Sequence, residues 1–380
     1  MTTPPGEGSA GGSLVPVAPE VMTATETWFR KRGLPYFVPE ERAAARSALT
    51  MRAMLPLLLA VGLAALLLGG ILTWRTSNAS FGPGAVTFLG LLAAGFYAVT
   101  RLRARPIVTF AVHRTVSGLG QLFPMATRAL PLLLVFITFL FINAEVWMLS
   151  ASLDGALLWL TVLLFAVVAV AFLLVRLPEE VDVVDDRIDA PLLVSASRGT
   201  PMAEAAGDLV THHGDELDLQ RDAEVRGFER GNLIVVLLVI QAAQVLLLAL
   251  AVFVFFLVFG ALTMKKGVQE AWIGGGTTTF PGLGNVSVEL LQTSTFLAAF
   301  SGLYFTVYVV TDEAYRVQFF TGVLREMEKA VAVRTVYRHL CRRRDASEPA
   351  PAAPAATEDA VPTRTLPAAP PAPGNDPHDD

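Results

Sequence analysis

The sequence predicts an all-α membrane protein: a six-transmembrane-helix bundle with cytoplasmic amphipathic helices. The first observation behind this prediction is that 53% of the 380 residues are hydrophobic. Many of them fall in six apolar runs close to the ~20 residues that a spanning helix needs. The second observation is that the 29 lysines and arginines all lie outside these runs. Because the runs are continuously apolar rather than alternating, helices are favoured over barrel strands.

The six predicted spans contain no Lys or Arg, and only Glu145 places an acid inside one of them. The fifth run is close to ~30 residues, or ~45 Å as a helix, so we expect it to tilt or to project beyond the bilayer. The predicted membrane domain covers residues 54–310, and its spans are residues 54–74, 84–100, 130–150, 156–175, 233–262 and 290–310.

The basic residues predict the orientation. Cytoplasmic loops of membrane proteins carry an excess of Lys and Arg. Of the 29 basic residues, 26 fall on alternate segments: the N-terminal segment, the second and fourth connections and the C-terminal segment. Only Arg75, Lys265 and Lys266 fall on the other side. Both termini are therefore predicted to face the cytoplasm.

Residues 107–126 (IVTFAVHRTVSGLGQLFPMA) could be mistaken for a further span. His113 and Arg114 lie near the middle of this stretch, and a charge at the bilayer centre costs about 2.5–3.5 kcal/mol. Apolar residues recur every three or four positions and predict one helical stripe: Val108, Val112, Val116, Leu119 and Phe123. We expect an amphipathic helix that lies at the cytoplasmic interface or packs on the bundle.

The remaining segments lie outside the membrane. Residues 1–25 and the Pro/Ala-rich residues 346–380 are predicted to be disordered, because they offer little material for a core. Residues 26–53 form a cytoplasmic juxtamembrane segment, and residues 176–232 form a cytoplasmic loop. Residues 311–345 contain a basic, amphipathic pattern that predicts a cytoplasmic helix beside anionic lipid, although a partner-binding helix also fits.

Four stretches together resemble a family of uncharacterised integral membrane proteins from actinobacteria. They are residues 28–39 (WFRKRGLPYFVP), 141–147 (FINAEVW), 229–244 (ERGNLIVVLLVIQAAQ) and 311–320 (TDEAYRVQFF). The resemblance covers most of residues 26–340 and implies a protein of the bacterial inner membrane. It implies no activity, cofactor or catalytic residue. Arginine also outnumbers lysine 25 to 4, which a GC-rich bacterial genome would explain most simply.

Asn143 and Glu145 stand near the outer end of the third predicted span. An ionisable residue inside a span is a functional hypothesis by default, such as a proton or cation site. The structural alternative, which we favour, is that Glu145 reaches the outer interface beside Trp147 and stays hydrated.

Gln241 and Gln244 are about one helical turn apart on the fifth predicted span. They could line a path for a polar substrate. Hydrogen bonding between helices is the more common role of such residues, and such bonds average only about 0.6 kcal/mol. We favour this structural role.

No residue pattern predicts a cofactor, a metal site or nucleic-acid binding. His212 and His213 precede Gly214 in the sequence HHGDE, and adjacent histidines do not share a helix face, whereas zinc needs three or four converging ligands. Aromatic residues interleave with basic ones at residues 28–37, but beside a span this pattern is more typical of the lipid headgroup region than of a nucleic-acid site.

The sequence therefore favours a non-enzymatic, envelope-associated scaffold or accessory protein of the bacterial plasma membrane. Its partners would be the lipid bilayer and a cytoplasmic or membrane protein. The alternative is a small-solute or ion permease, or the membrane subunit of an exporter. In that case Asn143, Glu145, Gln241 and Gln244 would line its path. An enzyme is disfavoured because no nucleophile–base or metal constellation is recognised.

Overall fold

A computed structural model describes residues 18–76, 81–117, 133–153, 155–213, 222–280, 283–311 and 313–347. The all-α class is confirmed, because the strands in these residues form only one short antiparallel hairpin. The helices are α1 (Pro19–Lys31), α2 (Pro39–Ala48), α3 (Met51–Thr76), α4 (Phe81–Thr100), α5 (Arg105–Ser117), α6 (Leu133–Phe141), α7 (Ala144–Ala151), α8 (Ala156–Asp186), α9 (Ala190–Ser197), α10 (Ala203–His213), α11 (Phe228–Thr263), α12 (Lys266–Ile273), α13 (Val288–Thr311) and α14 (Glu313–Ser347).

The chain divides into two units, residues 1–340 and residues 341–380. All helices before α14 belong to the first unit, together with most of α14. The described part of the second unit is the end of that helix, where Arg342, Arg343 and Arg344 are exposed.

Five described helices are long and apolar enough to cross a membrane: α3, α4, α8, α11 and α13. They coincide with five of the six predicted spans. The remaining predicted span, residues 130–150, is not one straight helix, because α6 and α7 meet at a bend of 74°. By length and composition, the described residues thus contain five helices that could span a membrane, or six if this bent pair is one span.

Two spanning helices extend beyond their predicted ends. The helix α8 continues past residue 175 to Asp186, and α11 has 36 residues. The extension of α8 keeps one face buried through Leu177, Val181 and Val184, while its charged residues form ion pairs. The helix therefore continues into a polar environment without losing its packing.

The bundle core lies at the bend. Phe141, the last residue of α6, stacks on Phe256 of α11 with ring centroids 4.9 Å apart. Gly260 makes this packing close, because a Cβ at that position would clash with Leu290 of α13. The indole nitrogen of Trp147 donates to the Phe141 carbonyl at 2.7 Å and so fixes α7 against α6.

Beyond this core, the connection between α11 and α13 is folded. It contains α12 and a hairpin of β1 (Thr279–Phe280) with β2 (Leu283–Ser287). Gln269 of α12 organises the connection, because its side chain donates to the Met264 carbonyl and accepts from Ser287.

The helix α5 packs on the bundle, which is the second of the two placements expected for residues 107–126. A Cβ on Gly33 would lie 3.2 Å from the Cα of Ile107, and the Gly33 carbonyl accepts from Asn232 at 2.9 Å. The helix α5 also packs against α11. Residues 118–126 lie outside the described residues.

The packed face of α5 is not the predicted valine stripe. The buried side chains are Ile107, Ala111 and Thr115. Val108, Val112 and Val116 are exposed.

The helix α14 is confirmed, but its predicted amphipathic placement on lipid is wrong for residues 330–337. All eight of these side chains are buried. The sequence AVAVRTVY is apolar on every side apart from Arg334 and Thr335, and such a helix is typical of a protein interior.

The prediction of disorder at the N-terminus is wrong for residues 19–25. Pro19 occupies the first turn of α1, where its missing N–H costs nothing, and Thr25 and Phe29 are buried. Residues 1–17 and 348–380 lie outside the described residues.

Candidate functional site

The two polar residues of the third predicted span explain its bend. The Asn143 side-chain oxygen accepts from the backbone nitrogens of Glu145 and Val146, at 2.8 and 3.4 Å. This is the N-cap of α7, which satisfies donors that a helix start leaves open. Glu145 lies in the first turn of α7, where the helix dipole favours an acid, and its side chain is exposed.

Gln241 and Gln244 lie in the interior of the spanning region. Gln241 is buried, and neither its side-chain oxygen nor its side-chain nitrogen has a hydrogen-bond partner. Gln244 is half-buried, with its side-chain oxygen unpaired. The hydrogen bonds between helices that we favoured for these two residues are therefore not formed by Gln241.

The structure does not bring the two pairs together. Asn143 follows the Phe141 ring that stacks on Phe256, and Phe256 comes 15 residues after Gln241 on the same helix. At 1.5 Å per residue, this separation is ~22 Å along α11. The four residues do not line one shared cavity at this spacing, and their role in transport stays a prediction.

The most densely connected polar cluster lies elsewhere, at the start of α11. Arg334 of α14 donates from Nε and Nη2 to Glu229 Oε2, at 3.0 and 2.6 Å. Arg42 of α2 pairs with the other oxygen of Glu229. The Arg334 side chain is 1% exposed and that of Glu229 is 4% exposed, so two charges are buried together.

Backbone carbonyls complete this cluster. Arg334 Nη1 donates to the carbonyls of Asp222 and Ala223, and Nη2 donates to that of Glu224, at 3.1–3.2 Å. The guanidinium therefore joins α14 to the segment that precedes α11. A buried arginine is stable only when its donors are satisfied in this way.

A second set of bonds holds the N-terminal segment against α11. Asn232 donates to the Gly33 carbonyl at 2.9 Å and accepts from the Tyr36 nitrogen at 3.0 Å. Gly33 has a φ of +71°, a backbone conformation that favours glycine. Residues 28–39 and 229–244, two of the stretches that carry the family resemblance, thus contact each other.

The aromatic residues of the N-terminal segment are part of this packing. The Phe29 ring contacts Phe37 and Tyr337 edge to face, at 5.3 and 5.8 Å. Phe29 and Phe37 are buried, which excludes both headgroup contact and base stacking for these two rings. We call the assembly of α1, α2, residues 33–38, the first turn of α11 and residues 324–340 the end layer.

Ion pairs hold the end layer together and link it to the region of α8. Within the layer, Arg32 pairs with Glu326 of α14. Arg187, just after α8, lies 3.5 Å from Glu328. Arg230 of α11 reaches Asp182 of α8 at 2.8 Å. In the acidic stretch at residues 179–189, Glu180 and Asp182 are thus engaged in ion pairs, and Glu180 is buried.

Tyr36 is the titratable group of the end layer with a perturbed pKa. Burial raises the pKa of its hydroxyl above the usual value, and the neighbouring Glu41 carboxylate raises it further. The hydroxyl donates to the Leu102 carbonyl at 2.6 Å, so the proton has a structural partner.

Sequence reasoning did not identify Glu229 and Arg334 as a pair. A signal for Arg334 was present: it is the one charged residue in residues 330–337, and a lone charge in such a run predicts a buried partner. The identity of the partner, 105 positions away, required the fold.

Among the described residues, no three His, Cys, Asp or Glu side chains form a group that could hold a metal ion. His212 and His213 end α10, and Gly214 lies outside the described residues. Comparison of the chain with known protein families, with curated proteins and with solved structures finds no match.

Proposed function

We propose that this chain is a non-enzymatic scaffold or accessory protein of a bacterial plasma membrane, with both termini in the cytoplasm. Its spanning helices anchor the end layer, and the end layer presents a docking surface for a cytoplasmic or membrane protein. The positive-inside distribution supports the orientation, because most Lys and Arg residues lie on the side of the end layer.

The observation that carries this proposal is the buried Arg334–Glu229 pair. It joins α14 and the start of α11, and Arg42 adds α2. A cluster of this kind holds separate chain segments in one arrangement, so the end layer is a folded structure rather than a set of loops. A scaffold needs such a preformed surface, because binding then costs little ordering entropy.

Site-specific photocross-linking in intact cells tests the proposal. The photoreactive residue is placed at exposed Glu40, Arg46 or Arg338 of the end layer, with lipid-facing Leu66 as the matched control position. We expect a discrete protein adduct from at least one of the three positions and none from Leu66. The adduct should disappear when Arg334→Met disturbs the end layer. Equal adducts from Leu66, or none from all three positions, would remove the docking role.

A permease is the second candidate, and the unpaired amide of Gln241 favours it. A polar group buried without a partner among spanning helices is costly and is a common feature of substrate paths. Flux through reconstituted vesicles should then fall in Gln241→Leu and in Glu145→Gln. Unchanged flux in both variants would exclude the proposed path, and an absence of flux from the wild-type protein would favour the scaffold.

A further inference from the structure

A narrow groove runs along the outside of the bundle where α8, α11 and α13 meet. Its volume is about 410 Å³. Small residues form its walls, among them Ala166 and Ala169 of α8, Ala249 of α11 and Gly302 of α13. At Gly302 a Cβ would lie 3.3 Å from Val245 and 3.6 Å from Ala249, so α11 and α13 are close there.

The groove is open toward the bilayer. Three of its lining residues, Trp159, Leu246 and Leu250, are 66%, 70% and 54% exposed. All three helices that form it are long and apolar enough to span a membrane. On α8 the lining ends at Leu173, three residues before the ion-paired Arg176. The groove therefore lies at the depth of the hydrocarbon.

The walls carry few polar groups. The two hydroxyls in the lining belong to Thr295 and Thr306. Each donates to a carbonyl one turn earlier on its own helix, Leu291 at 2.7 Å and Gly302 at 2.8 Å. Apart from the indole N–H of the exposed Trp159, an occupant consequently meets almost only hydrocarbon.

The width of the groove limits what can occupy it. From Trp159 to Leu173 the groove follows ~21 Å of α8, and its empty space up to the open side is about 1110 Å³, so its mean cross-section is at most about 50 Å². A helix with its side chains is about 10–12 Å wide, which is a section of roughly 80–110 Å², and does not fit. Carbon atoms in van der Waals contact are about 3.5–4.0 Å apart, so a single methylene chain fits.

We propose that this groove binds one acyl chain of a membrane lipid. Lipid tails are as apolar as leucine, so the chain gains no hydrophobic energy by leaving the bilayer. It gains dispersion contacts that the narrow groove loses when nothing fills it. The site is therefore an exchangeable lipid site on the bundle, and it is independent of the docking role of the end layer.

Photolabelling of the full chain in vesicles tests this site. The vesicles contain a trace of phosphatidylcholine with a diazirine on its acyl chain, and labelled peptides are quantified after irradiation. We expect the α8 peptide that contains Val162 and Ala166 to be labelled more strongly than the lipid-facing α3. Ala249→Phe, whose ring fills the groove, should lower the α8 labelling several-fold and leave α3 unchanged.

Ala60→Phe, on an exposed part of α3, is the matched control and should leave the α8 labelling unchanged. If Ala249→Phe does not fold, Ala166→Phe fills the groove from the opposite wall. Labelling of α8 no stronger than that of α3, or unaffected by both filling variants, would overturn the proposal. If cross-linking shows that a second copy of the chain covers the groove, the proposal is overturned as well.

Discussion

Arg334 and Glu229 lie 105 residues apart in the chain and form a buried ion pair, with Arg334 Nη2 2.6 Å from Glu229 Oε2. A buried pair of charges adds little net stability, because desolvation offsets the attraction. The loss of Arg334 leaves Arg42 as a partner of the buried Glu229 carboxylate but removes every hydrogen bond that Arg334 donates, and the loss of one partner from a buried pair costs about 3–5 kcal/mol. The pair therefore makes the arrangement of the end layer sensitive to a single substitution.

Arg334→Met should lower the free energy of unfolding by about 3–5 kcal/mol, because Glu229 and three backbone carbonyls each lose a donor. Thermal unfolding in detergent, followed by circular dichroism, measures the loss. Arg338→Met, one turn later and exposed, should change stability by no more than about 0.5 kcal/mol. Similar melting temperatures for the two variants would contradict the importance of the buried pair.

Asn143→Ala should lower stability by about 0.5–2 kcal/mol, because the N-cap of α7 is lost. Asn143→Asp keeps an acceptor oxygen at the cap and should retain most of the stability. Denaturant titration of both variants measures the difference. If the Asn143→Ala protein were as stable as the wild type, the cap would not hold the bend, and a functional role for the residue would gain support.

The sequence predicted the elements that depend on local composition. The apolar runs of α3, α4, α8, α11 and α13 lie where hydropathy placed them, since any helix that meets lipid must be apolar over that length. It did not predict the bend at residues 142–143, because the apolar composition continues through it and only the short side chain of Asn143 marks the change.

The end layer was the part least accessible to sequence reasoning. The basic pattern of α14 suggested a helix on lipid, but the burial of residues 330–337 depends on chain segments more than a hundred residues away. Of the candidate path, sequence periodicity identified the shared face of Gln241 and Gln244. It could not show that Phe141, two residues before Asn143, packs on Phe256, which lies ~22 Å along α11 from Gln241.

Gln241→Met should leave stability unchanged or raise it, because the buried amide of Gln241 has no partner and its removal loses no hydrogen bond. Gln269 provides the matched comparison: it is equally buried, at 1% exposure, but bonds to Met264, Asn285 and Ser287. Gln269→Met should destabilise by about 1–3 kcal/mol. Thermal unfolding of the two variants, measured in parallel, tests this difference. A large loss of stability in Gln241→Met would indicate that a water or solute is bound at Gln241.

Alkaline pH should destabilise the protein through Tyr36. The folded state keeps the Tyr36 proton to a higher pH than the unfolded chain, because its pKa is raised. The contribution of Tyr36 to the free energy of unfolding is therefore complete below the pKa of about 10 that tyrosine has in the unfolded chain. This contribution is lost as the pH rises through the higher pKa of the folded state. The melting temperature of the wild type should fall more steeply than that of Tyr36→Phe between about pH 9 and 11. Melting temperatures that fall equally with pH in the wild type and in Tyr36→Phe would contradict a role of Tyr36 in the loss of stability.

Cys341 allows the orientation to be tested with the natural sequence, because it is the single cysteine of the chain. If Lys and Arg have kept the end layer in the cytoplasm, a membrane-impermeant thiol reagent should label Cys341 only after the cells are permeabilised. Thr278→Cys, placed in a Cys341→Ser background, reports on the opposite side, since Thr278 is exposed in the connection between α11 and α13. That cysteine should react in intact cells.

The number of crossings can be tested in the same way. Because an even number of crossings puts residues 26–53 and Cys341 on one side, a cysteine at exposed Arg46 should react as Cys341 does. Labelling of Cys341 and Arg46→Cys from opposite sides would mean an odd number of crossings and would also contradict the end layer, in which α1 contacts α14.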